Sequence, residues 1–450
     1  MSRTDTTRAP SRALAIATIV LGTMISTLAN SIVSIALPTM AAELGATPSS
    51  SIWIVNAYQL AVTVSLLPLA SLGDIRGYRV VYLWGMALFT AASLGCGLAD
   101  SLPLLVVFRV AQAVGAAGLM SVNSALIRFV FPPERLGAGM SIMTLTVAVC
   151  SAAGPSVAAA ILSVASWHWL FLMNVPIGIV GVALAWYATP SNPPEGHRFD
   201  KTSAVLNALT FGLLLIGFNE IGQGASPWVI GGALAAGAVA GVVFVRRQQG
   251  LTAPMLPVDL FRLPAFALSV ATSISTYAAQ TIAQIALPFY FQMAGGVSQG
   301  MVGLMMTPWP AVIMIIAPVS GRLSDKYPAG LLCGVGLVVL TTGLMLMFSV
   351  PPDASLGQVA WRMAWCGIGF GFFQSPNVRA IVSAAPRNRS GVASGMMSTA
   401  RLTGQTIGGV VVAMTFGFMQ GDIAGGVHVA LTVAVVLSGM ASVLSFLRLR

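Results

Sequence analysis

"ASLGDIRGYR" (residues 70–79) and "GRLSDKYPAG" (residues 321–330) are short charged turns, each set between long apolar runs. Asp74 aligns with Asp325, and Leu72 with Leu323. Beyond each turn an arginine opens a stretch of small residues within an apolar run: Arg109 in "RVAQAVGAAG" and Arg362 in "RMAWCGIGFG", 35 and 37 residues past the aspartates. Two landmarks repeating at an offset of about 250 residues mark a duplicated architecture.

The runs around these turns define the class. The 450-residue chain is 56% hydrophobic and 8% charged, with a mean hydropathy of +0.87, against roughly 25% charged residues in soluble domains. It is a membrane protein. Fourteen apolar windows are long enough for helices, from 13–37 to 427–447, and in lipid only a helix satisfies the backbone of an isolated segment. The net charge of +10 comes from Lys and Arg in alternate loops: Arg76 and Arg79, Arg128 and Arg135, Arg198 and Lys201, Arg246, Arg247 and Arg262, Arg322 and Lys326, then Arg379, Arg387 and Arg389. The opposite loops carry Glu43, Asp100, His168, Glu220, Asp353 and Asp422. This asymmetry places both termini in the cytoplasm and requires an even number of spans. It explains the charge without a nucleic-acid partner.

The first apolar run exceeds a signal-peptide core of about 7–15 residues and reads as a retained helix. Cys96, Cys150, Cys333 and Cys366 are scattered through apolar runs, and His168, His197 and His428 are equally dispersed. No metal site, cofactor or catalytic cluster is expected, so the chain does not read as an enzyme. An offset of 250 residues exceeds a six-span repeat and implies that two spans, 203–219 and 228–245, are inserted between six-helix halves. The expected layout is a cytoplasmic tail (1–12), a first bundle (13–190), the inserted pair with its linkers (191–262) and a second bundle (263–450).

In sequence the landmarks resemble the Major Facilitator Superfamily, in particular its fourteen-span drug:proton antiporter branch. "LGDIRGYR" is similar to the family's loop motif after the second helix through Asp74, Gly77 and Arg79. "FRVAQAVGAAG" resembles the fourth-helix motif at Arg109, Gln112 and Gly115. "AGPSVAAA" resembles the fifth-helix antiporter motif at Gly154 and Pro155. "SWHWLFLMNVPIG" (166–178) and "SGVASGMMSTARLTGQTIGG" (390–409) resemble stretches of the fourteen-span branch. The sequence departs from the pattern at Ala70, Ala158 and Ala159, where the motifs have glycines, at His168, where an Arg usually stands, and at Ala29 in "LANSIVSIALP" (28–38), where an acid belongs. The resemblance implies an all-α fold of two six-helix bundles rocking about a central cavity, with export of a small amphipathic or hydrophobic compound by proton antiport. An uncoupled carrier or flippase for a neutral or anionic substrate is the alternative, because the usual intramembrane carboxylate is missing.

Candidate residues follow from the cost of polar groups in lipid. Asp74, Gly77, Arg79 and Asp325 read either as a latch between the bundles or as turn and cap residues. Gly154 and Pro155 read as a gating bend or a packed kink. Arg109, with Gln112, and Arg362 must face the protein interior, as coupling residues or as ties between helices. Glu220 carries protons only if it is desolvated; its place at a span end favours a loop. The expected cavity lining is Ser26, Asn30 and Ser34, which share one helix face, with Asn56, Tyr58, Gln59, Asn123, Tyr277, Gln280, Gln284, Trp309, Trp365, Gln374 and Asn377. The expected partners are the substrate, protons and the bilayer, and the expected state is a monomer of the plasma or bacterial inner membrane.

Overall fold

The computed structural model describes residues 12–131, 136–189, 199–223, 225–251, 258–384, 390–419 and 421–449, and every regular element among them is helical. The first bundle contains α1 (Arg12–Ser31), α2 (Val33–Glu43), α3 (Pro48–Ser51), α4 (Trp53–Arg76), α5 (Tyr78–Gly97), α6 (Leu102–Val130), α7 (Leu136–Leu162), α8 (Trp169–Leu172) and α9 (Asn174–Ala188). Next come α10 (Lys201–Gln223) and α11 (Pro227–Gln249). The second bundle contains α12 (Pro264–Phe289), α13 (Gln299–Met306), α14 (Pro308–Leu323), α15 (Ala329–Phe348), α16 (Leu356–Ala384), α17 (Ser390–Phe418) and α18 (Ile423–Leu447).

Eleven helices among the described residues are long and apolar enough to cross a membrane. Three more, α12, α16 and α17, have 26, 29 and 29 residues but are richer in Ser, Thr, Gln and Asn. Many of their polar side chains are buried against other helices, as at Ser273, Thr276, Asn377 and Thr406. Many hydroxyls are satisfied within their own helix: Thr18, Thr23, Thr63 and Thr90 each donate to the carbonyl four residues back, at 2.7–2.8 Å. Such bonds let a hydroxyl sit in a dry helix interface.

Three passages read as single spans are broken, one of them briefly at Met173 between α8 and α9. The first turns at Ile32, between α1 and α2. Another breaks at Thr307, where Pro308 and Pro310 supply no backbone N–H; the Thr307 backbone N–H turns also to the Leu304 carbonyl that Pro308 leaves unpaired, at 3.3 Å, while its hydroxyl donates to the carbonyl of Gly303 at 2.8 Å. Prolines open α6, α11 and α12 at positions where the missing N–H costs nothing.

The duplication also governs packing. A Cβ on Gly115 of α6 would stand 2.5 Å from the Phe89 nitrogen and 2.7 Å from the Gly85 carbonyl oxygen of α5. In the second bundle Gly369 of α16 sits equally tightly against Leu340 and Gly336 of α15. Both are backbone-to-backbone crossings that only a side chain of hydrogen permits.

The inserted pair docks on both bundles, with α10 packed against α4 and α17 and α11 against α10. Asn207 donates to the Val64 carbonyl at 3.0 Å. At the end nearer the chain termini, Arg247 pairs with Asp200 at 3.1 Å. The same end carries exposed Arg76, Lys201, Arg246, Arg262, Arg322 and Lys326, whereas the opposite end carries Glu43, Asp100, Asp353 and Asp422. Arg3, Arg8, Arg135, Arg198, Arg387 and Arg389 lie outside the described residues. Trp84, Trp186 and Tyr187 are exposed near the first end, and Trp169, Trp228 and Trp361 near the second, as interfacial aromatic belts require.

Gly115→Val should destabilise the purified protein by about 1–3 kcal/mol, the usual cost of overpacking, read as a lower melting temperature in detergent. Burial raises the Asp200 pKa, but hydrogen bonds from Ser203 and Arg247, with the Arg247 charge, outweigh it and hold the carboxyl below its ordinary range. A depressed folded-state pKa means that the bond contributes fully above the unfolded value of about 4 and is lost as pH falls through the folded value. The melting-temperature difference between wild type and Asp200→Asn should therefore be present at pH 7 and vanish on acidification.

Candidate functional site

Arg109 is fully buried, with no exposed surface. It lies in the second turn of α6, where its Nε donates to the Ile54 carbonyl at 3.0 Å and its Nη1 to Gln112 Oε1 at 2.7 Å and the Ala29 carbonyl at 3.4 Å. Its guanidinium lies 4.0 Å from the centre of the Tyr58 ring. Gln112 passes the chain on to Ser93 Oγ at 2.7 Å, which donates to the Phe89 carbonyl. Carbonyl dipoles and a π face thus compensate the charge without a carboxylate. Arg109 ties α1, α4, α5 and α6 into one unit, and among the described residues its Nη2 has no hydrogen-bond partner.

The bundles meet at the end remote from the chain termini. Gln292, just beyond α12, donates to the Ile35 carbonyl at 2.9 Å, and Gln299 bonds Thr39. Ser49 donates to the Ala413 carbonyl at 3.0 Å. Ser156 and Thr307 share a hydrogen bond of 2.9 Å. Here Gly154 and Pro155 find their place: Gly154 abuts Ser31 of α1, while Gly303 of α13 abuts the Pro155 carbonyl and Ala159. Toward the termini, the charged turns are bonded within their own bundles. Asp74 accepts from Tyr78 Oη at 2.6 Å, beside Gly77, whose φ of +98° ends α4. Arg79 donates to the Trp186 carbonyl, and Asp325 pairs with Arg379. These bonds of Asp74, Arg79 and Asp325 thus stay within one bundle each among the described residues.

Several residues assigned to the cavity lie elsewhere. Ser26 is buried and donates to the Gly22 carbonyl at 2.8 Å, so the open polar face of α1 and α2 is rotated from the expected stripe and runs through Thr27, Asn30, Ser31 and Ser34, all half-buried. Arg362 is not a second Arg109: its Nη1 donates to its own helix at Gln358, at 2.6 Å, and its guanidinium covers the ring of the exposed Trp361 at 4.6 Å. A long side chain near a helix end can bend back this way, so Arg362 need not face the interior. Trp365 is 41% exposed on the outer surface and bonds Thr342 at 3.0 Å. Asn377 is buried, donating to Ser273 and accepting from Arg448 at 2.7 and 2.8 Å, a tie among α12, α16 and α18. Asn56, Tyr58, Gln59, Asn123 and Trp309 are buried between helices; Asn56 abuts Gly409, and Asn123 donates to Thr23 at 3.1 Å.

Tyr277, Gln280, Gln284 and Gln374 are half-buried, as is Glu220 in the last turn of α10. The sequence reading passed over Arg401, a half-buried cation midway along α17. The cost of a cation in an apolar run, which marks Arg109 in the sequence, marks Arg401 equally. Among the described residues no cluster of His, Cys, Asp or Glu is suited to a metal, and the four cysteines are free and buried.

The family profile described as Major Facilitator Superfamily matches residues 19–409. The chain is 48% identical over 442 residues to an uncharacterized transporter, YebQ, of Escherichia coli (strain K12), covering 98% of this chain and 96% of that one. It is 30% identical to the riboflavin transporter RibZ of Clostridioides difficile (strain 630), covering 85% and 83%. It is also 30% identical to the multidrug resistance protein Stp of Mycobacterium tuberculosis (strain ATCC 25618 / H37Rv), covering 85% and 71%.

Arg109→Ala should cost about 1.5–3 kcal/mol of stability, the scale of charged hydrogen bonds, with Arg109→Lys intermediate because it keeps the charge but loses the planar fork. Melting temperatures of the two purified variants check the order.

Proposed function

The chain belongs to the Major Facilitator Superfamily and is a transporter rather than an enzyme, and we propose that it exports a small amphipathic or hydrophobic compound by alternating access. In this reading it is a fourteen-span protein of the bacterial inner membrane, with both termini cytoplasmic and the 1–12, 13–190, 191–262 and 263–450 segments as its parts. The observation that carries it is the position of the seam: small polar contacts join the bundles at the end remote from the termini, while polar faces of α1, α12 and α17 stay half-buried. Such contacts break and reform at low cost when rigid bundles rock. The similarity to a riboflavin transporter, RibZ, and a multidrug resistance protein, Stp, supports bulky organic substrates.

Proton antiport accompanies the family resemblance, but one observation favours the uncoupled alternative. Among the described residues, Asp and Glu occur only in loops or in the end turns of helices, so no carboxylate stands in the interior to take up a proton and release it on the other side.

Thr39→Cys combined with Gln299→Cys places two thiols across the seam, in a chain whose native cysteines are buried. In proteoliposomes, a short bis-maleimide should stop transport of any of ethidium, riboflavin or a metabolite panel that the unmodified protein moves. Undiminished transport at full cross-linking would sink alternating access. An imposed pH gradient then separates the coupling modes: rates that follow the gradient establish antiport, and unchanged rates establish the carrier.

A further inference from the structure

Arg401 is the twelfth residue of α17, about 17 Å along the helix at 1.5 Å per residue and so near the middle of a hydrocarbon core of about 30 Å. Among the described residues no hydrogen bond or ion pair satisfies its guanidinium. The register of α17 fixes where it points. Gly404 abuts the Ile274 carbonyl of α12, and a Cβ on Gly408 would stand 2.6 Å from the Ala278 carbonyl oxygen. Gly409 abuts Asn56 of α4, and Leu402 joins the core of the first bundle. With about 100° of turn per residue, Arg401 and Gln405 fall in the sector between these contacts. They face the gap between α12 of one bundle and α4 of the other.

The surroundings of Arg401 are polar and aromatic but not acidic. Tyr277 is near enough to feel its charge and is held by edge contacts with Phe370 and Phe373 at 5.5 and 6.2 Å. Gln280 and Gln284 continue the half-buried face of α12. Arg109 is compensated by carbonyls and a ring, whereas among the described residues neither a carbonyl nor a carboxylate is bonded to Arg401. A half-buried cation in mid-membrane is stabilised by a counter-charge, and the described residues bond none to it.

We infer that the cavity takes an amphipathic organic anion whose carboxylate, sulfonate or phosphate end pairs with Arg401. The planar guanidinium offers two parallel N–H donors to such a group. The amides of Gln405 and Gln280 serve its remaining oxygens, and Tyr277 packs on its apolar body. The inference rests on the alternating-access reading, since it names the substrate class of that same cavity.

The test uses the purified full chain in detergent with 1-naphthaleneacetate, naphthalene-2-sulfonate and 2-naphthyl phosphate, each compared with 1-naphthaleneacetamide, naphthalene-2-sulfonamide or 2-naphthol. At least one acid should bind about ten- to hundredfold more tightly than its uncharged counterpart, the range expected of a charged hydrogen-bonded pair. That preference should disappear in Arg401→Gln and weaken in Arg401→Lys. Should the variants fail to fold, wild-type protein still decides: the bound acid, but not its neutral counterpart, should protect Arg401 from phenylglyoxal, read by peptide mass spectrometry. Equal affinity for acids and neutral compounds, no binding of any acid, or unprotected Arg401 each overturns the inference. So does protection by phosphatidylglycerol nanodiscs, against phosphatidylcholine ones, without protection by any free acid, which would make the site a lipid-headgroup contact. If cross-link-sensitive transport persists while the acids fail, only the anion inference falls.

Discussion

Hydrocarbon hydrates neither backbone amides nor charged side chains, and the rest of this structure answers to that constraint. Every regular element among the described residues is a helix, and hydroxyls within helices bond back to the carbonyl a turn earlier. Where two helix backbones touch, glycine stands at the crossing. Where a cation is buried, as at Arg109, four helices converge to supply carbonyls, an amide and a ring face. The Arg109 group is thus both a consequence of the solvent and a clamp that makes the first bundle a rigid body.

Rigid bodies need a weaker seam between them if they are to move. Within each bundle the contacts are backbone-close and numerous, as at Gly115 and Gly369. Between the bundles, Gly303 lies against Pro155 and an apolar cluster is shared, while the hydrogen bonds are neutral hydroxyl and amide contacts such as Ser156 to Thr307 and Gln292 to Ile35. A neutral hydrogen bond is worth only about 1 kcal/mol net, so a handful define a conformation without locking it. Breaking an intrabundle glycine crossing would instead disrupt packing along a whole helix. This contrast supports motion of whole bundles rather than of single helices.

The legible part of the sequence was the part set by local composition. Apolar runs marked the helices, and the spacing of Asp74 to Asp325 and Arg109 to Arg362 revealed the duplication. The same duplication misled when it was extended to side chains: Arg109 and Arg362 occupy equivalent places, yet one is fully buried and the other covers an exposed Trp361. A repeat preserves backbone path more faithfully than the environment of each position. Asn377 and Trp365 were misplaced for a related reason, because a polar group in a helix faces the cavity, a neighbouring helix or the interface, and helical spacing alone does not choose among them. Arg401 was readable by cost alone, though its direction was not.

By itself, the sequence determined that this chain spans a membrane many times, that its two halves share a plan, and that no carboxylate stands in the middle of its described helices. These follow from hydropathy and residue identity along the chain. Only the tertiary structure decided which arginine is enclosed and which faces the space between bundles, which face of α1 is open, and at which end the bundles meet. Those answers depend on the rotation of each helix against neighbours remote in sequence, through contacts such as Gly404 on Ile274 and Gly154 on Ser31. A one-residue change in register turns a helix face by about 100°, enough to move a side chain from a cavity to a dry interface.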